Sequence, residues 1–288
     1  MDLNELRLEI DKIDDELVRL FVQRMEVSAR IADYKKENGL PIFVPTREQD
    51  KLLDVAAKAG PEMANYTRAL YAMLFELSRG YQSQRNATRT PFFRRVTEAI
   101  ESTPKLLPKD TTVACPGNRD DIAEMLCGKL FADSPILQFK NTEGILSAVS
   151  SGMCHYGILP ADGSRKHIYD LLTEQGLFVV RRFRLHDGTQ YLCVSKELEI
   201  YPGADRCSIR MALSNRPGAL YKVLARLCTL GINVSGLESR SIPGDNFRAM
   251  FYFDLETSIY SEEFVLLMCE LDDLCEEFSY LGSYTEVV

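Results

Sequence analysis

Residues Asp2 to Lys36 repeat an apolar side chain every three to four positions, and no Gly or Pro interrupts them before Gly39. Read as heptads, one series holds Leu3, Ile10, Leu17 and Ile31, and its companion holds Leu6, Ile13, Leu20, Val27 and Tyr34. Asp2 and Glu5 have the spacing of a capping box at the start of the run. A helix of this length extends roughly 50 Å at about 1.5 Å per residue, more than one small domain covers, so it implies a second copy of the chain.

Arg24 falls inside the first apolar series, and a cation on a buried seam needs an anion from the protein or from a ligand. Lys35 lies eleven residues on, close to three whole turns, so it shares the face of Arg24 about 16 Å along the axis. Arg7 is about 25 Å from Arg24 and roughly a quarter-turn away. An antiparallel second copy would return an Arg7 to the site. The plainer alternative for Arg7 and Lys35 is that they snorkel at the surface.

With 288 residues, 45% hydrophobic and 26% charged, the chain has the composition of a soluble protein of two or three domains. Its net charge of -8 is concentrated late: Ile200 to Val288 holds seven Lys and Arg against thirteen Asp and Glu, which argues against nucleic acid or an anionic membrane as partner. The eight cysteines are irregularly spaced without a C-x-x-C pair, and His155, His167 and His186 lack metal-ligand spacing. Reduced thiols, no structural metal and no cofactor are expected. Without an apolar run of about 18 residues or a basic leader, the expected location is the cytoplasm.

After Gly39-Leu40-Pro41, helices are expected over Arg47 to Ala59 and Pro61 to Gln84, completing a helical domain over 1–88. Residues 89–109 read as a linker with one short helix near Arg94 to Glu101. From Thr111 strands alternate with helices, the pattern of a parallel α/β lobe over 110–200. Residues 201–288 read strand, helix, strand, strand, helix, strand, the split β-α-β of a ferredoxin-like domain. The fold class is thus multidomain, α followed by α/β.

Arg47 and Glu48 open the second helix, while Ser78 and Gln82 share a face of the third at i and i+4. With Arg7, Arg24 and Lys35 the set contains cations, a carboxyl, a hydroxyl and an amide, but no nucleophile beside a base and no phosphate-binding glycine loop. Such a set holds a small polyanion and stabilises charge moving within it. At these residues the chain resembles the all-helical chorismate mutases, through LRLEIDKIDDELVRLFVQRMEVSARIADYKK and PIFVPTREQD.

That resemblance implies an intertwined helical dimer converting chorismate to prephenate. Arg7 of the second copy, Arg24 and Arg47 would bind the two carboxylates with Ser78 alongside, Glu48 would take the ring hydroxyl, and Lys35 and Gln82 would donate to the ether oxygen. One departure is Val44, where the family often has an acid.

Asn215-Arg216-Pro217-Gly218-Ala219-Leu220 and Glu238-Ser239-Arg240 resemble the N-x-P-G-A-L and E-S-R-P motifs of ACT domains fused to prephenate dehydratases. The resemblance implies a phenylalanine-like effector, with Ser241 standing in place of the final proline. Without the resemblance, the two segments are a helix start and a strand exit. The middle segment resembles a single lobe of a prephenate dehydratase, of periplasmic-binding-protein-like type, in Cys115-Pro116-Gly117-Asn118, in Gly157 to Ser164 and in Gly188-Thr189-Gln190-Tyr191. Its motifs are degraded and its length is about half that family's. The expectation is a regulated chorismate mutase whose dehydratase activity is lost. The alternatives are a bifunctional mutase and dehydratase, or a non-catalytic amino-acid sensor.

Overall fold

The computed structural model describes the chain apart from residues 1, 42–43, 87–90, 118–120, 162–164, 262–263, 266, 269–270, 272–274, 276 and 288. The chain divides into two compact units, Met1–Thr88 and Arg89–Val288.

In the first unit, α1 (Leu3–Glu37) begins at the expected cap, where the Asp2 main-chain N–H donates to Glu5 Oε2 at 2.8 Å. The second helix, α2 (Pro45–Asn86), is two limbs joined at Gly60, whose φ of 78° and ψ of 167° suit a residue without Cβ, followed by Pro61 at the head of the second limb. Only Ser28, Ala29 and Ala32 of α1 are buried. These small residues mark where α2 crosses closely. The apolar ladder named above lies open instead, with Leu3 59%, Ile10 56% and Leu17 53% exposed. A fully buried leucine contributes about 1.5–3 kcal/mol, so this face leaves much stabilisation unused within one copy.

The second unit starts with α3 (Pro91–Ser102), inside the segment read as a linker. Its Phe92, Val96 and Ala99 enter a core with Ile209, Leu227 and Phe253, and Phe92 stacks edge-on against Tyr280 at 5.3 Å. Then come β1 (Val113–Pro116), α4 (Asp121–Leu130), β2 (Ile136–Phe139), α5 (Thr142–Ser150), β3 (Tyr156–Pro160), α6 (Arg165–Gln175), β4 (Phe178–Arg184) and β5 (Gln190–Ser195). The ferredoxin-like part supplies β6 (Arg206–Ser214), α7 (Ala219–Thr229), β7 (Asn233–Ile242), β8 (Asp245–Glu256) and β9 (Phe278–Val287). Between β8 and β9, Phe264, Val265, Leu267, Met268 and Leu271 are helical and buried, at the spacing of one helix face; the other residues of the expected Glu262 to Asp273 helix that are masked lie outside the described residues.

The nine strands among the described residues form one sheet in the order β2-β1-β3-β5-β4-β9-β6-β8-β7. The run β9-β6-β8-β7 is the arrangement of a split β-α-β unit. Two features differ from the sequence expectation. The lobe is mixed, since β5 runs antiparallel to both β3 and β4. The boundary near residue 200 does not divide the sheet: β4 and β9 pair in parallel, Arg181 to Phe183 against Thr285 to Val287. At this seam a Cβ on Gly282 would run into the main-chain carbonyl of Val179.

The seam is held by a buried polar network. Arg182, 2% exposed, forms an ion pair with Asp254 at 3.0 Å and lies 5.1 Å from the Tyr284 ring. Asp254 also accepts from the Tyr169 hydroxyl at 2.7 Å and from Ser208 Oγ at 2.6 Å. The network therefore draws on α6, β4, β6, β8 and β9 together. Burial alone would raise the Asp254 carboxyl, but Arg182 and the hydroxyl donors hold it below the ordinary value. A depressed carboxyl contributes stability above its unfolded pKa of about 3.9, and that contribution is lost as pH falls through the lower folded value.

Replacing Arg182 with Leu strands the buried Asp254 charge and should cost about 3–5 kcal/mol in urea denaturation. Asp254→Asn should flatten the acid limb of the stability profile below about pH 4, measured as midpoint against pH.

Candidate active site

Arg24 lies on α1 one turn before the small buried residues and faces the second limb of α2. Its guanidinium donates to the Leu74 carbonyl at 3.1 Å and to Ser78 Oγ, and sits 5.7 Å from the Phe75 ring. Ser78 in turn donates to the Leu74 carbonyl at 2.7 Å. These acceptors are neutral. Burial pushes the Arg24 pKa down, and Tyr71 and the Glu48 carboxylate oppose it.

Lys35 lies near the end of α1, where burial lowers its ammonium pKa, Arg47 lowers it further and Glu48 raises it. The structure thus brings Arg24, Lys35, Arg47, Glu48 and Ser78 into one electrostatic neighbourhood. Gln82 joins through Ser28 of α1, whose hydroxyl accepts from Nε2 at 2.7 Å. Gln82 Oε1 is buried with no hydrogen-bond partner among the described residues. Exposed Arg7 stays near the far end of α1, about 25 Å along the axis from Arg24.

Arg79 joins the site without being marked by helix periodicity or motif. Its two terminal nitrogens donate to Glu48 and to Glu76, so it fixes the one carboxylate of the set across the two limbs of α2. The only signal in the sequence is a Glu76 three residues before it, a pairing usual on any helix surface. Val44 leaves its side chain exposed, and its carbonyl accepts from the Glu48 N–H at 3.3 Å at the start of α2.

In the ferredoxin-like part, Gly218 takes φ 87° as the N-cap of α7, with Ala219 and Leu220 opening the helix after Pro217. Asn215 anchors the turn, its N–H donating to the Phe247 carbonyl at 2.6 Å. Glu238, Ser239 and Arg240 lie on β7. Leu213 and Ser241 both register with Ala249 of β8, so the two motifs reach the same end of the sheet, separated by one strand. Arg240 reaches Asp170 of α6 at 2.7 Å, beside Arg210 at 2.9 Å.

Of the middle motifs, Cys115 and Pro116 end β1, and the Gly117 N–H donates to the Phe139 carbonyl at 2.8 Å. Asn118, Asp162, Gly163 and Ser164 lie outside the described residues. Gly157 serves packing, because a Cβ there would stand 2.8 Å from Ile145 Cγ2. Thr189 closes the β4–β5 hairpin, its N–H donating to Asp187 Oδ1 at 2.9 Å and its carbonyl accepting from Leu185 at 2.9 Å.

Residues 6–83 match the family model for chorismate mutase type II. The chain is 23% identical to the bifunctional chorismate mutase/prephenate dehydratase of Aquifex aeolicus over 359 aligned positions, covering 100% of this chain and 99% of that protein. Since this chain has 288 residues, that relative carries segments without a counterpart here. The solved prephenate dehydratase of Streptococcus mutans superposes with a TM-score of 0.51 at 23% identity, over 60% of this chain and 98% of that one. The prephenate dehydratase of Arthrobacter aurescens, solved in complex with L-Phe, gives a TM-score of 0.51 at 15% identity over 60% of this chain and 90% of that one. The basic cluster between α1 and α2 thus lies within the segment that matches the chorismate mutase type II model, and the α/β region after it has the fold of prephenate dehydratases.

Proposed function

We propose that the chain is a dimeric chorismate mutase, controlled by an aromatic amino acid in its ferredoxin-like part and without dehydratase activity. The observation that carries this reading is Arg24, half-buried and, among the described residues, bonded to neutral acceptors, in a neighbourhood shared with Lys35, Arg47 and Glu48.

The rearrangement of chorismate is intramolecular: the ether C–O bond breaks as a C–C bond forms, with no proton or covalent enzyme intermediate needed. Arg24 and Arg47 bind the carboxylates, and Arg7 of a second copy completes the pair. Glu48, held by Arg79, accepts the ring hydroxyl. Lys35 and Gln82 donate to the ether oxygen. Negative charge grows on that oxygen, so these contacts strengthen towards the transition state and accelerate the step. The unsatisfied amide oxygen of Gln82 suits this role, because turning the amide lets Ser28 donate to its oxygen and leaves an N–H for the substrate. The carboxylates fix the enolpyruvyl arm over the ring. The main-chain carbonyl of Val44 caps α2 whatever its side chain, which favours turnover over a silent sensor.

The exposed apolar ladder of α1 is the surface that a second copy would cover. Support for an effector comes from the Gly218 turn and the Glu238 to Arg240 stretch of β7, and from the L-Phe in the Arthrobacter aurescens relative. Against dehydration stand a lobe of five strands among the described residues, with no facing wall to exclude water, and Thr189 committed to a hairpin turn.

Purified protein given chorismate should yield prephenate, identified chromatographically, at a rate altered by phenylalanine. Accumulation of phenylpyruvate would overturn the loss of dehydration, and unchanged chorismate would overturn the mutase. Arg24→Ala should lower kcat/KM by roughly 10²–10³. Arg79→Met should raise KM more than it lowers kcat, with Arg79→Lys recovering part of the loss. Mixing Arg7→Ala with Arg24→Ala chains should restore about a quarter of the activity, since half the dimers are mixed and each holds one intact site; no recovery would exclude a site shared between copies.

A further inference from the structure

A cleft of about 350 Å³ opens in the second unit where β4 begins too late to cover β9. Because β4 bulges between Val179 and Arg181, Val179 stands against Gly282, and among the described residues Phe278 to Tyr280 have no strand on that side. On their other side, Ala212 donates to the Glu277 carbonyl at 2.9 Å. Bonded and non-bonded pairs alternate in an antiparallel ladder, so Phe278 and Tyr280 turn their main-chain polar groups away from β6 and towards the cleft. The remaining walls are Phe92 and Arg95 of α3, Leu172 and Thr173 of α6, and Phe178. Arg95 is exposed, and its guanidinium lies 5.0 Å from the Phe178 ring.

We propose that this cleft binds a small aromatic monocarboxylate. Its volume is at the low end for ligand pockets, enough for one ring and a short chain. Aromatic side chains line the body of the cleft, and stacking on Phe178 preorganises the Arg95 fork for a carboxylate. The open edge of β9 offers main-chain N–H groups to the same carboxylate, and those groups need a partner in so apolar a setting. Charge complementarity thus selects an anion, and the walls select a flat apolar body. The site is separate from Arg240, because β7 stands three strands from β9, about 14 Å across the sheet.

The test titrates the full chain with 3-phenylpropanoate, followed by ligand-observed NMR, with hexanoate as the aliphatic comparison. Saturable binding is expected, weakened about 10-fold or more by Arg95→Gln. Thr173→Phe, which fills the cleft from α6, should remove it, and Arg240→Gln should leave it unchanged. Absence of saturation, binding indifferent to both Arg95→Gln and Thr173→Phe, or equal binding of hexanoate would overturn the proposal. The readout is independent of mutase turnover.

Discussion

An arginine taken out of water must be answered, and the two units answer theirs differently. Arg182 meets Asp254 within the chain, and the hydroxyls of Tyr169 and Ser208 complete the shell around that carboxylate. Its charge is spent on structure. Arg24 meets a carbonyl, a hydroxyl and an aromatic face, and among the described residues no carboxylate forms an ion pair with it. Its hydrogen bonds orient it without neutralising it, which leaves the charge available to an anion. The contrast separates an arginine that builds a sheet from one that waits for a ligand.

The second consequence of this arrangement is that positioning and charge are supplied by different residues. Ser78 and Leu74 aim Arg24, and Arg79 aims Glu48, while Glu76 takes the other arm of Arg79. The site is therefore supported mainly from one limb of α2. The kink at Gly60 allows this, because it lets the first limb return Arg47 and Glu48 towards the second.

Helix periodicity made legible which residues share a face, Arg24 with Lys35 on α1 and Ser78 with Gln82 on α2, whereas bringing the two faces together drew on the resemblance to the helical mutases. Arg79 was not legible, because an i,i+3 pair with Glu76 looks the same on a surface as in a site. The ferredoxin-like order was legible from alternating elements. The pairing of β4 with β9 was not, since Arg181 to Phe183 and Thr285 to Val287 are about a hundred residues apart and strand pairing leaves no local mark. Nor was the burial of α3, whose Phe92, Val96 and Ala99 sit in a proline-containing stretch that reads as a connector until its partner core is known.

Gly282 shows how closely the two halves approach at their seam. Any side chain there would meet the Val179 carbonyl and push β4 from β9, straining the core the halves share, where Val179 and Leu192 pack with Ala212, Tyr252 and Leu281. With glycine in place, displacement in the ferredoxin-like half is carried rigidly into α6 and β4, as by a lever. A bulkier residue would loosen that coupling at its tightest point, leaving the shared core and the Arg182–Asp254 pair to carry it.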